Sequence, residues 1–184
     1  MRQELKDINW HIYGLSPQEF EYTLTLVKEF QEARVLQIKE KIKNTHITDQ
    51  DGNTIPIDSE DAFEALDDIH YYHYIDSITV FQFGLWRLQG IFEGILRQEF
   101  FPNQEISGLK KKLDTVRSQG LNISNEDYDE LISWARLRNA LSHFPPEKFR
   151  PIGLDDTDIL EYKNLVDRVT EDLIKQKGKQ NSMC

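Results

Sequence analysis

Residues 77–97 read SITVFQFGLWRLQGIFEGILR. Apolar residues recur there at three- and four-residue spacing, the pattern of a helix with one face in a core. The period extends back to about residue 59 and forward to Phe101, where Pro102 stops it. We expect a central core helix with a kink or break near Gly84, because more than forty residues is unusual for one globular helix. Whether 59–101 forms one helix or two stays open. The predicted interior stripe is Tyr71, Tyr74, Ile75, Ile78, Phe81, Leu85, Leu88, Phe92 and Leu96.

Four further segments have helical apolar spacing. The first starts at Ser16-Pro17 and runs to about Lys43, and the second covers residues 106–118 before Gly120. The third starts at Ser124, with Asp127 three residues later as in a capping box. The fourth starts at Asp155-Asp156-Thr157-Asp158. The sequence therefore predicts an all-α protein, a four- to five-helix up-and-down bundle with long helices.

Three segments are predicted to lie outside the helices. In residues 45–57, Asp51-Gly52 separates two short β-branched runs, which predicts a small β-ribbon insert. Residues 1–15 carry apolar side chains without a clear period, and we expect an irregular arm there. Residues 176–184 are polar and are expected to form a flexible tail. With 184 residues, the chain is predicted to be a single domain, 1–184.

Composition and charge narrow the classes of function. Hydrophobic residues at 39% and charged residues at 29% are typical of a soluble protein, and no apolar run is long enough to cross a membrane. Nothing resembles a signal peptide, so we expect a cytoplasmic protein. A net charge of −10 argues against general neutralisation of nucleic-acid phosphates. The one cysteine, Cys184, can support neither a disulfide nor a metal cluster.

Residues 138–144 read RNALSHF and are followed directly by Pro145 and Pro146. They place a permanent cation, an amide and an imidazole within two turns at the end of a helix, which is typical of a functional site. Around them lies a basic island: Arg136, Arg138, Lys148 and Arg150 against Glu147, which is 4 − 1 = +3 with His143 neutral.

Two other groups of polar side chains are candidate site residues. Gln89 and Glu93 interrupt the apolar stripe of the central helix, and each needs a polar partner if it is buried. We expect that partner in the basic island, although both side chains could instead reach water at the edge of the stripe. Asp67, His70 and His73 have a spacing that could hold a metal, but a solvated histidine pair is favoured, so no metal site is predicted.

The segment Arg138-Asn139-x3-His143 resembles the Arg-x4-6-His motif of the HEPN superfamily, whose members are small helical bundles. Many of them are metal-independent RNases of toxin–antitoxin, abortive-infection and CRISPR systems, and they often dimerise so that two motifs meet. By position, Arg138 matches the motif arginine, Asn139 the polar residue that often follows it, and His143 the motif histidine. The resemblance covers roughly residues 60–175.

The resemblance implies a metal-independent endoribonuclease, toxin-like or defence-related, that cleaves RNA at a composite site in a homodimer interface. It implies 2′,3′-cyclic phosphate products, no cofactor, and an antitoxin or other protein partner. The catalytic residues would be Arg138, His143 and Asn139. Supporting residues would be Ser142, Glu93 and Gln89, and residues that bind the substrate would be Arg136, Lys148 and Arg150.

Two alternatives remain open. The chain could be a catalytically inactive module of the same type that binds nucleotide, RNA or a protein partner. In the other, the motif is structural: Arg138 pairs with Glu93 or with an acid in the first turn of its helix, and His143 caps the helix end.

Overall fold

The computed structural model describes residues 15–44, 46–55, 60–143 and 153–182, and the side chains of residues 60–65, 68 and 143 lie outside that description. In these ranges the chain is an all-α bundle with a small β insert, as predicted. The predicted arm, except for Leu15, lies outside the described residues. The elements are α1 (Gln18–Lys43), β1 (Ile47–Thr48), β2 (Thr54–Ile55), α2 (Glu60–Phe100), α3 (Leu109–Ser118), α4 (Asn125–His143) and α5 (Asp156–Asn181).

Helix α2 is the centre of the bundle and contacts each of the other four helices. It is one continuous helix of 41 residues, so of the predicted kink or break near Gly84 the break is wrong. Gly84 instead allows close packing, because a Cβ there would lie 2.9 Å from Val27 Cγ2 and 3.4 Å from Ile159 Cγ2. The fully buried core residues include Phe20, Leu85, Leu88, Phe92, Leu96, Leu113, Leu131, Ile159, Tyr162 and Leu173.

The first half of α2 is more exposed than the sequence predicts. Tyr71, Tyr74 and Ile75 were expected in the interior stripe, but they are 57%, 56% and 40% exposed. This part of the helix extends past α3 and α4 and contributes to a separate small cluster with α1 and the ribbon, formed by Ile38, Leu66 and Ile69 with the partly buried Ile42 and Ile47. Helical periodicity identifies a face, but it does not show where the neighbouring helices end.

The starts of α4 and α5 follow from their first residues. Ser124 Oγ accepts a hydrogen bond from the backbone N–H of Asp127, at 3.0 Å. At the start of α5, the Asp155 side chain accepts hydrogen bonds from the backbone N–H groups of Thr157 and Asp158. The Asp158 carboxylate in turn accepts a hydrogen bond from the Asp155 N–H, which completes a capping box. Both helix starts were predicted, and they fix the helices that carry Arg138 and Tyr162.

The two strands form the predicted ribbon. They pair antiparallel, with Ile47 opposite Ile55. Asp49 Oδ1 accepts hydrogen bonds from the N–H groups of Asp51 and Asn53 in the connecting turn, and Gly52 adopts a φ of +85°. Glycine adopts this left-handed conformation without a steric penalty.

The last helix extends into the segment expected to be a tail. Helix α5 continues through Asn181, and Gln176 ties it to the loop before α4. The Gln176 side chain accepts from the Asn122 N–H at 2.7 Å and donates to the Asn122 carbonyl at 2.9 Å. None of the helices in the described segments combines the length and apolar character that a membrane span requires.

Candidate functional site

Helix α4 carries the motif and ends at His143, with Leu131, Trp134 and Leu141 buried against the bundle. Arg138 is half-buried on this helix, whereas Asn139 and Ser142 are exposed. The side chain of His143 and residues 144–152, which include Lys148 and Arg150, lie outside the described residues. The helix therefore fixes the position of Arg138 and places the backbone of His143 at its last turn.

The guanidinium of Arg138 has both a local contact and an unused donor. Its Nη1 donates to Asn139 Oδ1 at 3.0 Å. Its Nε is buried and has no hydrogen-bond partner among the described residues. Over the same part of the chain no carboxylate forms an ion pair with Arg138, so the predicted alternative of pairing with Glu93 is not observed there. Arg138 thus keeps its positive charge without a carboxylate partner in the described residues, while its Nε faces the interior of the bundle.

Ser142 and Arg136 are two further predicted site residues on α4. Ser142 Oγ donates to the Arg138 carbonyl at 2.9 Å, within the same helix, so its donor serves the helix backbone. Arg136 is exposed, and it lies two positions from Arg138, which puts the two side chains about 200° apart around the helix. The helical part of the basic island is therefore split between two faces.

Glu93 and Gln89 are linked to each other and to α3. Gln89 is only 3% exposed, and its Nε2 donates to Glu93 Oε1 at 2.8 Å. Glu93 Oε2 forms an ion pair with Lys112, and the two side chains are 19% and 12% exposed. Their partner is therefore Lys112 rather than the basic island. Lys112 is the third member of the run Lys110-Lys111-Lys112, and its side chain turns into the bundle.

Tyr162 on α5 is a site residue that the sequence did not single out. It is fully buried and packs against Trp134, with ring centroids 5.0 Å apart. Its hydroxyl has no hydrogen-bond partner among the described residues. Burial raises the pKa of this hydroxyl far above its ordinary value; the Glu93 charge raises the pKa further, and the Arg138 charge opposes both. Tyr162 therefore stays protonated, with Glu93 and Arg138 both near enough to act on it.

Four helices thus contribute to one group of polar side chains, which we call the polar cluster: Gln89, Glu93, Lys112, Arg138 and Tyr162. The sequence signal for Tyr162 was weak, because a tyrosine in the stripe Ile159, Val166, Val169 and Leu173 looks like one more core residue. Besides Arg138, the polar cluster contains the protonated Tyr162 hydroxyl and the Glu93 carboxylate, which is paired with Lys112. Arg138 and Glu93 act on the Tyr162 hydroxyl through their charges, and among the described residues no hydrogen bond joins Arg138 to the other members.

No metal site is formed by the predicted histidines. Among the described residues, no three His, Cys, Asp or Glu side chains lie close enough to hold a metal ion. His70 is exposed, and His73 Nδ1 is buried without a hydrogen-bond partner in those parts of the chain. The three residues of the spacing Asp67-x-x-His70-x-x-His73 therefore do not converge on one point.

A cleft of about 390 Å³ lies elsewhere, between α1, α2 and the start of α5. None of the predicted site residues lines it. Its lining residues are Leu24, Val27, Lys28, Gln31, Glu32, Phe81, Asp156 and Ile159.

Comparison with known proteins found no matching family model, no similar curated protein and no similar solved structure.

Proposed function

We propose that the chain is a HEPN-type, metal-independent endoribonuclease. The observation that carries this proposal is the place of Arg138-Asn139-x3-His143: the motif occupies the last turns of α4, a late helix of an all-α bundle. Arg138 there lacks a carboxylate partner among the described residues, and its Nε donor is unused. An arginine without a carboxylate partner can pair its charge with a phosphate through the part of the guanidinium that reaches solvent.

The chemistry assigns a separate task to each residue type. Cleavage of RNA without a metal requires a group that accepts the proton of the 2′-OH, a group that protonates the leaving 5′-oxygen, and a fixed positive charge at the phosphate. His143 exchanges protons near neutral pH, and Arg138 stays charged. Asn139, which already bonds Arg138, orients the guanidinium. The products carry a 2′,3′-cyclic phosphate.

One histidine in each chain has to serve as both base and acid, or it shares these tasks with a second copy. A homodimer that brings two α4 ends together supplies the second imidazole. The net charge of −10 repels polyanions at long range, so RNA enters next to local cations, with Arg136, Lys148 and Arg150 as the candidates. A toxin-like or defence role in the cytoplasm, with an antitoxin or similar protein partner, fits such an enzyme.

A second candidate function is a catalytically inactive module of the same type. The observation that favours it is the partial burial of Arg138: a guanidinium with a buried Nε beside Tyr162 can also serve to bind a nucleotide or to support the bundle. An inactive module would bind RNA or nucleotide without cleaving it.

The test is cleavage of mixed RNA in EDTA by the wild-type protein, Arg138→Ala and His143→Ala. Matched controls are Arg97→Ala and His70→Ala, which remove the same side-chain types from exposed positions. We expect cleavage by the wild type and both controls, and a loss of about 100-fold or more in each motif variant, since general acid–base catalysis contributes about 10²–10⁴. Circular dichroism checks that every variant is folded.

The outcomes separate the candidates. Equal cleavage by all five proteins would point to a contaminant and contradict the proposal. Binding of RNA without cleavage by the folded wild type would favour the inactive module. Activity that is lost in EDTA and restored by zinc or manganese would favour a metal enzyme instead.

A further inference from the structure

One face of α2 is apolar and uncovered. Its members are spaced three or four residues apart and so lie on one side of the helix, within about 60° of a common line. The large ones, Tyr72, Ile75, Phe83 and Trp86, are 60%, 40%, 44% and 42% exposed. We call this the open face of α2; its members are Tyr72, Ile75, Thr79, Phe83, Trp86 and Gly90.

Neighbouring helices border the open face without covering it. On one side α1 is linked to α2 by ion pairs from Arg34 to Asp76 and from Glu19 to Arg87. On the other side α3 reaches Glu93 through Lys112. A continuous apolar strip between two such borders is unusual for a solvated surface and is typical of a surface that another segment covers.

Leu15, the first described residue, covers the C-terminal end of the open face. The Leu15 side chain lies over Gly94, where any Cβ would collide with Leu15 Cδ1. The Leu15 carbonyl accepts a hydrogen bond from Gln98 Nε2 at 3.2 Å. One turn earlier, a Cβ added at Gly90 would meet no atom of the described residues within 4 Å. The two glycines thus form a shallow trough in which Leu15 fills one position and the next is open.

The segment before Leu15 has the length and the side chains to fill the rest. Its 14 residues reach up to about 46 Å when extended, whereas Tyr72 and Gly94 lie about 33 Å apart along the helix. Although residues 1–15 as a whole have no clear period, Ile8, Trp10 and Ile12 alternate with polar residues. In an extended chain these three side chains point to one side, about 6.6 Å apart, close to the spacing of helical turns. Leu15 is an odd number of residues away from them, and Gly14 supplies the backbone freedom to turn the chain so that they face α2 as Leu15 does.

We propose that residues 1–14 lie along the open face of α2, with Ile12 over Gly90 and Trp10 against Trp86 and Phe83. Leu15 fixes where this segment enters, next to Gly90. The tether also gives the segment a local concentration in the millimolar range, far above that of a second copy in dilute solution. The partner of this surface is thus the N-terminal segment of the same chain, and the proposal is independent of any activity of Arg138.

Disulfide trapping in the full chain tests the contact. In a Cys184→Ser background, Ile12→Cys is combined with Gly90→Cys, whose side chain has room on the open face. The matched control combines Ile12→Cys with Ser133→Cys, at an exposed position on α4. We expect the Gly90 pair to close within one chain about tenfold faster than the control, at a rate that does not depend on protein concentration. Equal rates, or disulfides mainly between two chains, would overturn the proposal.

Tryptophan quenching provides a second, independent measurement. In Trp10→Phe, the remaining tryptophans are Trp86 and the buried Trp134. Deletion of residues 1–13 leaves the same two tryptophans and keeps Leu15. We expect acrylamide quenching to be about twofold stronger in the deletion than in Trp10→Phe, because Trp86 is uncovered. Equal quenching in the two proteins, or protection of Trp86 that rises with protein concentration, would contradict the proposal.

Discussion

Replacing Gly84 by alanine tests the close packing of α1, α2 and α5. A new Cβ would lie 2.9 Å from Val27 Cγ2 and 3.4 Å from Ile159 Cγ2. Both neighbours are β-branched and stiff at χ1, and they belong to different helices, so α2 cannot move away from one without pressing on the other. Overpacking of this kind costs about 1–3 kcal/mol. Alanine returns about 1 kcal/mol through its higher helix propensity, which leaves a net loss of about 0–2 kcal/mol.

Urea unfolding followed by circular dichroism measures this loss. A loss of about 1 kcal/mol lowers the midpoint by about 0.3–1 M urea for a typical denaturant slope. Gly178→Ala is the control, because a Cβ there meets nothing within 4 Å, and it should be neutral or slightly stabilising. In Gly84→Ala/Val27→Ala the Val27 methyl is gone, so the double variant should lose about 1 kcal/mol less than the sum of the two single variants. If Gly84→Ala instead gains about 1 kcal/mol and shows no coupling to Val27, the helices do not meet as closely as described.

Three further predictions concern the partly buried Lys112–Glu93 ion pair and the helix starts. Lys112→Met should lower the free energy of unfolding by about 3 kcal/mol, the low end for removing one partner of a buried pair, because Glu93 is left without its cation while both side chains keep some exposure. Most of the loss should return in Lys112→Met/Glu93→Gln. Urea unfolding of both variants measures this, and a Lys112→Met variant as stable as wild type would refute it. Ser124→Ala should cost about 1 kcal/mol by loss of a cap, and a thermal midpoint equal to that of wild type would contradict the capping bond. Hydrogen bonds from the Thr157 side chain and the Asp158 N–H lower the pKa of Asp155 below 3.8. A carboxylate whose pKa is lower in the folded than in the unfolded state stabilises the fold at pH values above its unfolded-state pKa, and this stabilisation disappears as the pH falls through its folded-state pKa. Asp155→Ala should therefore be less stable than wild type at pH 7, and the difference should shrink below about pH 4. A difference in stability that stays constant with pH would show that the Asp155 cap does not titrate.

Local signals in the sequence predicted the elements well. Asp51-Gly52 placed the ribbon, and Ser124 and Asp155 placed two helix starts, because turns and caps depend on residues within a few positions of one another. The apolar stripe from Phe81 to Leu96 was also correct, since the helix is surrounded by neighbours over that length. These features need no knowledge of distant parts of the chain.

Features that depend on tertiary distance were not predictable. Tyr71 and Tyr74 continue the same stripe but are exposed, because α2 extends past the bundle there. The partner of Glu93 was expected among the arginines around 138 and is Lys112, which only the packing of α3 on α2 could reveal. Gly84 was interpreted as a break because glycine weakens helices, whereas its role is to admit two neighbouring helices.

The candidate site was predicted only in part. The motif Arg138-Asn139-x3-His143 marked the end of α4, and the structure adds the buried Tyr162 hydroxyl and the ion-paired Glu93 behind Arg138. Tyr162 is the kind of residue that a single sequence hides, since its spacing is that of the core and its polar atom is one among many. The assignment of catalytic roles to Arg138 and His143 stays a prediction.

Helix α2 contributes to both of the apolar clusters that the described residues form. With 41 residues it is about 60 Å long, but only the second half is held by the main core, and the first half rests on the small cluster around Ile38 and Ile69. Amide hydrogen exchange should therefore be graded along a single helix, fast near Leu66 and slow near Leu88, with the boundary near Phe81. The end of α1 and the start of α2, which pack on each other around Ile38 and Ile69, would then open as a local unit while the rest of the bundle stays folded. A ligand that binds across these two helix ends would accordingly slow amide exchange there without changing the protection of the core.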